Sequence, residues 1–447
     1  MTKQLKFIVF FIIFGFSAKS QVVVRTFHKD KPSALREEYG IVSATDSTRN
    51  GHYNRYYEGG AKAVEGYFRA GKKDSTWTEF YENGQKKITT LYINGQKNGT
   101  FTTYSPKGSI LEKAYFKNDK LSDSLITYYA DGRLKSRGFF VRDSIEGLAK
   151  EYYQSGIIKQ EISYLRGRPN GISKEYYPNG KLHIEAEYVN GKLSGTFKTY
   201  YESGQLDTES YNQNGSKNGG FKTYAPNGQL VQDGNYKNGD LHGEIKAWYG
   251  TGVQRSVLQY NKGTREGKAL YFYRSGKLKD EYRFSNKEKD YSLKHYHDTT
   301  GFLAQETEYK NKQPFGSWKN YYPNGKIQKE EHYNELGKLH GNKYLYDSTG
   351  RKQAKEIFVN GLKVGTFETY FPASGKVESQ TIYVNNRRQG EFKAWHESGK
   401  VHITGQYLAD TQHGKWLYTT EEGKIYRIEQ YRRGNKVSSK DYVQKTK

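Results

Sequence analysis

Residues 179–202 read NGKLHIEAEYVNGKLSGTFKTYYE, and nearly all of the 447-residue chain is this stretch again. A glycine equivalent to Gly180 recurs every 24 residues, at Gly60, Gly84, Gly108, Gly132, Gly156, Gly204, Gly228, Gly252 and Gly276. It continues at Gly301, Gly325, Gly350, Gly375, Gly399 and Gly423. A fixed short period is the signature of a repeat architecture, so one array is expected instead of two or three separate domains. Three of the later intervals gain one residue, in HDTTG, YNELGK and FPASG. Those insertions fall in turns, which implies that the segments between them are regular elements.

Each repeat offers two runs of about eight residues, bounded by Asn-Gly, Pro-Asn-Gly or Gly-Lys-x-x-Gly stops. Such stops call for positive or preset φ values that a helix interior refuses. Alternation supports strands: Leu182, Ile184, Ala186 and Tyr188 are expected on one face, with Lys181, His183, Glu185 and Glu187 on the other. The aliphatic residue two after each landmark and the Phe or Tyr eight after it are the expected buried stripe. Five prolines, Pro106, Pro178, Pro226, Pro323 and Pro372, sit just before a landmark, where no ladder N–H is needed. The expectation is an all-β, elongated, single-layer antiparallel sheet of about sixteen hairpins. At roughly 4.8 Å per strand it would run on the order of 150 Å before twist.

Composition fits a thin sheet. Hydrophobic residues make up 34% of the chain and mean hydropathy is −0.98, too polar for a thick core, yet 42 Tyr and 22 Phe are too many for a disordered chain. The chain has no cysteine, so disulfides, thiolate metal sites and lipid anchoring through cysteine are excluded. The net charge is +24. Without Lys3, Lys6 and Lys19 there remain 69 cations against 48 acids, a balance that suits anionic lipid headgroups, glycans or an acidic protein, or simply keeps a long array soluble.

Residues 1–20, MTKQLKFIVFFIIFGFSAKS, combine a basic start, an apolar run and Ala18-Lys19-Ser20 before Gln21, the pattern of a cleaved signal peptide. The expected location is therefore outside the cytoplasm: periplasmic, outer-envelope-associated or secreted. Residues 21–50 keep the period poorly and are expected as a degenerate N-terminal unit or cap. Residues 51–442 are the array, and 443–447 a C-terminal tail.

The consensus Gly-x-Phe-x-x-Tyr-Tyr-x-x-Gly-x-Leu-x-x-Glu-x-x-Tyr-x-Asn-Gly-Lys-x-x-Gly is carried by GTFKTYYESGQLDTES from Gly195, GSWKNYYPNGKIQKEEHY from Gly316 and KEYYPNGKLHIEAEYVNGKLSG from Lys174. It resembles the bacterial variant of the MORN repeat (membrane occupation and recognition nexus), of the type found in YwqK-like antitoxins, over residues 51–442. The resemblance implies a single-layer sheet with an aromatic groove, used as a scaffold, a dimerisation surface or a lipid or envelope contact. The apparent export signal departs from the antitoxin-type proteins.

No nucleophile elbow, no His-Glu-x-x-His and no Gly-rich phosphate loop leading into a helix is present, so no catalytic, cofactor-binding or metal residues are assigned. An acid recurs once per repeat at Glu65, Glu161, Glu185, Glu209, Asp233, Glu281, Glu306 and Glu330, which suits cross-strand pairing with lysine better than a glycosidase pair. His295 and His297, with His332 and His340 further on, lack a third ligand fixed by spacing. The candidate binding surface is the aromatic row four residues before the landmark, Tyr176, Tyr200, Tyr224, Trp248, Phe272, Tyr321 and Trp395, with the neighbouring Lys198, Lys222 and Lys246. These favour a non-enzymatic surface for a partner protein or for an anionic lipid headgroup or glycan. Export argues against nucleic acid, and free terminal strands leave room for an edge-to-edge homodimer. The alternatives are a toxin-neutralising protein and a glycan- or anionic-lipid-binding array.

Overall fold

A computed structural model describes residues 22–442; the expected signal peptide and C-terminal tail lie outside the described residues. The described residues form 37 β-strands and no helix. The chain divides into an N-terminal unit, residues 1–218 with 226–228, and a C-terminal unit, residues 219–225 with 229–447. Within each, successive strands pair antiparallel in an open meander. Residues 21–50, expected as a cap, supply strand Val22–Phe27, which pairs with Leu35–Ser43, and that strand in turn pairs with Asp46–Tyr56.

Two turns alternate, and their chemistry explains the period. Strand Leu182–Val189 leads into Lys192–Tyr200 through Asn190 and Gly191, with φ of 50° and 82°. Left-handed φ at both central residues defines the type I′ hairpin turn, which Asn-Gly adopts at least cost. The next connection runs through Glu202, Ser203 and the landmark Gly204, at φ 95°. The Gly204 N–H donates to the Tyr201 carbonyl at 2.7 Å and the Tyr201 N–H to the Gln205 carbonyl at 2.8 Å, a type I turn closed by a glycine bulge.

The strand that follows each landmark turn also carries a bulge, and this corrects the expected faces. Leu182 lies opposite Tyr176 while Ile184 lies opposite Glu175, so His183 is an extra residue. Because the side-chain period is two, that one residue moves Leu182 to the face of the Tyr176 row, away from Ile184 and Ala186. The aliphatic two after the landmark is accordingly half-buried or exposed: Val401 is 36% and Ile425 44% exposed.

The most buried row is formed by the residue seven before the landmark, or eight before Gly301 and Gly375, and the one six after it, which face each other across neighbouring strands. Large and small side chains take turns there. Trp77, 6% exposed, stands beside Gly66, and Trp416, 2% exposed, beside Gly405; a Cβ on either glycine would fall inside the indole. The aromatic eight after the landmark, as expected, borders this row: Phe68, Phe284 and Phe358 are 7–8% exposed. Rings pack edge-on or tilted along the row, as in Phe68 on Trp77 (4.9 Å, 81°) and Tyr407 on Trp416 (5.3 Å, 79°). Aromatics four to five ångströms apart on successive strands are what lets one layer hold together without a second sheet.

Candidate binding surface

The face opposite the aromatic core carries an alternating charge ladder. In the N-terminal unit Lys150, Glu161, Lys174, Glu185, Lys198 and Glu209 are successive cross-strand partners. Lys174 reaches Glu185 at 3.5 Å and Lys198 reaches Glu209 at 3.5 Å, with Lys150 ion-paired to Glu161. In the C-terminal unit Lys294 pairs with Glu306 at 3.2 Å and Lys319 with Glu330 at 3.5 Å. The recurring acids are therefore lysine partners, held at the cross-strand distance where opposite charges stabilise an antiparallel pair.

The seven aromatics expected to bind are all half-buried and close the second strand of their repeats. Several are occupied structurally. The Tyr176 hydroxyl donates to Glu161 Oε2 at 3.0 Å, and burial together with that carboxylate pushes its pKa up to about 12. Of the three lysines, Lys198 is ion-paired to Glu209 and Lys246 to Glu244 at 2.8 Å, while Lys222 is exposed opposite Asp233.

The adjacent tyrosine, three before the landmark, has a role that the sequence reading passed over. The Tyr177 hydroxyl donates to the Tyr200 carbonyl at 2.7 Å, one full repeat ahead. Tyr57, Tyr81, Tyr129, Tyr153, Tyr249 and Tyr273 do the same at 2.6–2.8 Å, and His396 substitutes a ring nitrogen bonded to the Thr419 carbonyl at 2.8 Å. The second tyrosine of the Tyr-Tyr pair thus stitches repeat to repeat, and its recurrence was visible in the period.

A second missed feature is a row of exposed apolar side chains on the ladder face of the N-terminal unit. Tyr115 is 39% exposed, Phe139 46%, Leu148 49%, Ile172 54% and Tyr211 49%. Each lies two residues along its strand from a member of the charge row: Lys113, Arg137, Lys150, Lys174 and Glu209. From strand Ile110–Lys117 to Leu206–Gln213 the row crosses about 40 Å at ~4.8 Å per strand. Where it begins, the ladder lacks acids: Lys113 and Arg137 are exposed and flank Ile126, and neither makes an ion pair among the described residues.

His295 Nδ1 lies 2.6 Å from Asp280 Oδ1, and His332 and His340 meet only through a backbone hydrogen bond of 2.8 Å. Among the described residues no three His, Asp or Glu side chains converge as a metal site would require.

Nine segments match the MORN repeat variant family: residues 73–94, 97–118, 145–165, 169–190, 193–215, 217–238, 265–286, 316–335 and 388–409. This is a MORN-variant repeat protein. The matches are to the repeat itself and do not single out the antitoxin type. No curated protein matches the chain. Among solved structures it is similar to TcdB2-TccC3-TEV (11% identity, TM-score 0.16, 95% of this chain and 27% of that one). It is also similar to a Photorhabdus luminescens Tc holotoxin pore with the TccC3-D651A mutation (10% identity, TM-score 0.15, 92% and 23%). The chain spans about a quarter of the length of these structures, and at such scores the likeness carries no argument. Each MORN repeat contributes one hairpin, one landmark turn and two residues to the buried row.

Proposed function

We propose that this MORN-variant protein is an exported, non-catalytic scaffold that holds an acidic partner protein on the ladder face of its N-terminal unit. The observation that carries this is the row Tyr115, Phe139, Leu148, Ile172 and Tyr211, apolar side chains about 40–54% exposed at matched positions on one face, with Ser124, Ser163, Glu187 and Thr196 at the positions between them. Exposed apolar side chains aligned and rimmed by charge mark an association surface, whereas scattered ones need no explanation. Lys113 and Arg137 at its start, and the excess of cations over acids, favour an acidic partner and electrostatic steering toward it. The aromatic row four before the landmark is the weaker alternative surface, because its rings are half-buried.

The test is capture from separated envelope and cytoplasmic fractions with residues 21–447, in parallel with the triple variant Phe139→Ser, Leu148→Ser, Ile172→Ser. The expected result is an acidic envelope protein retained by the parent chain, released by salt, and lost by at least tenfold with the variant at unchanged melting temperature. Retention that ignores the variant would overturn the assigned surface. A partner found only in the cytoplasmic fraction would overturn export.

A further inference from the structure

One part of the C-terminal unit carries the alternation of the buried row in reversed order. Seven before Gly276 stands Ala269, 1% exposed, where some repeats place a large ring, as with Trp77 and Trp416, and others a small residue, as with Ala149 and Ser173; here the bulky residues stand on the neighbouring strands as Leu258 and Tyr282. Beside Tyr282 lies a depression of about 520 Å³, walled by Tyr271, Tyr282, Phe284 and Tyr291. Tyr282 and Phe284 lie nearly parallel, 4° apart with centroids at 5.2 Å, and Tyr271 stands at 80° to Tyr282.

The hairpin turn at its rim is also unusual. In place of Asn-Gly the chain runs Asn286-Lys287-Glu288 with φ of 48°, 54° and 62°, three consecutive non-glycine residues in the left-handed region. Such conformations are strained and persist where the surroundings hold them. Here Glu288 is held by Arg265: Nη2 donates to Oε2 at 2.9 Å, Nε to Oε1 at 3.2 Å, and the Arg265 backbone N–H to Oε1 at 2.7 Å. The guanidinium lies 4.4 Å over the Phe284 ring and donates to the Tyr271 hydroxyl at 3.1 Å. Arg265, with all three guanidinium nitrogens donating, is thereby a strut that fixes two of the four walls.

The polar groups left at the rim are of both kinds. Asp280 uses one carboxylate oxygen on His295 and keeps the other 3.9 Å from Lys279. Lys312 lines the depression and makes no ion pair among the described residues. Aromatic walls in two orientations, a carboxylate acceptor, an ammonium donor and a second cation, Lys312, whose neighbouring carboxylate Glu288 is already held by Arg265, match a ring that is apolar on its faces and hydroxylated at its edge, with one negative charge. We infer that this depression is a binding site for a carboxylate-bearing saccharide. The apolar face of the ring packs on Tyr282, its hydroxyls reach Asp280 and Lys279, and its carboxylate pairs with Lys312.

The experiment is calorimetric titration of residues 21–447 with trigalacturonate and with the neutral trisaccharide cellotriose. Saturable one-to-one binding of trigalacturonate, at least tenfold weaker for cellotriose, is expected. Tyr282→Ala should weaken trigalacturonate at least tenfold; Lys312→Met should abolish the preference for the acid while leaving the melting temperature unchanged, and Lys415→Met should leave both as they are. No binding of trigalacturonate by the folded parent chain, equal binding of both sugars, or an effect of Lys415→Met matching that of Lys312→Met would overturn the assignment. None of these readouts depends on the N-terminal apolar row, so the scaffold proposal stands or falls separately.

Discussion

The N-terminal and C-terminal units are built from one repeat but differ in what they expose on the ladder face. Seven after and eight before the landmark, the N-terminal unit shows Tyr115, Phe139, Leu148, Ile172 and Tyr211 beside the charge ladder. The same positions of the C-terminal unit hold cross-strand pairs such as Glu244 with Gln259, Lys268 with Arg283, Ser317 with His332 and Glu391 with Gln406. On the core face both units carry runs of rings, with Tyr53, Phe68, Trp77 and Tyr92 in the N-terminal unit, and the difference lies in where the runs are interrupted. Tyr291, Tyr309, Trp318 and Tyr333 form a continuous chain of rings at 4.4–5.1 Å in the C-terminal unit, whereas residues 149–186 of the N-terminal unit put Ala149, Ser173 and Ala186 in the buried row. Among the described residues nothing packs over the ladder face, so its residues are free to diverge from repeat to repeat without loss of fold. Divergence on that face is where specificity is to be sought.

The sharpest break of this comparison is removal of a core ring. Trp416→Ala, at a site 2% exposed, should cost about 3–5 kcal/mol, as large-to-small changes in packed cores do. In a repeat array that loss is local, so hydrogen exchange is the fitting measurement. Protection should fall in strands Arg387–Trp395, Val401–Leu408, Thr411–Thr419 and Ile425–Arg432 and persist in the N-terminal unit. Equal loss in both units would mean that they unfold as one and that the comparison has no energetic content.

The hairpins, the turns and the aromatic packing were legible in the sequence because each depends on residues whose spacing repeats. Asn190-Gly191 and Gly204 demand their turns locally, and the lysine partners of the acids follow from period two. What stayed hidden depends on register. The bulge at His183 is set by how two strands align, so Leu182 moved to the other face. The exposed row was hidden for a different reason: it is a departure from the consensus, and a reading built on recurrence averages such residues away. Tyr177 was overlooked because Tyr200 and its neighbour recur equally well, and only the distance to a carbonyl one repeat ahead separates stitch from surface.

A smaller effect should separate those two tyrosines. Tyr177→Phe keeps the ring and removes one hydrogen bond to a backbone carbonyl, a loss of about 0.5–1.5 kcal/mol. Tyr249→Phe removes the equivalent bond to the Phe272 carbonyl in the C-terminal unit and should cost the same. Denaturant melts of the two variants therefore test whether the stitch is indifferent to the differences between units. A loss confined to one unit would show that surrounding packing, not the bond, sets its worth.

The smallest effect concerns acid. Glu161, in the N-terminal ladder, has its pKa held below the usual carboxylate range by the Lys150 ammonium, against the opposing effect of burial, with help from the Tyr176 hydroxyl. Glu429, 6% exposed in the C-terminal core row, is pushed up by burial, but hydrogen bonds from Tyr418 at 2.8 Å, Tyr431 at 2.9 Å and Lys436 at 3.2 Å outweigh this and its pKa too is lowered. A carboxyl whose folded pKa lies below its unfolded value stabilises the fold above about pH 4.5, and that contribution disappears as pH falls through the folded pKa. Glu161→Gln and Glu429→Gln should each flatten the acid limb of stability below that pH. The flattening should be slight for the ladder pair, where solvent competes for both partners, and larger for Glu429, whose three donors would be left facing a neutral amide in a site closed to water. Urea melts between pH 3 and 7 distinguish the two. Equal flattening would show that Glu429 is as well solvated as a surface acid, which would remove the energetic difference between ladder face and core face on which the comparison of the two units rests.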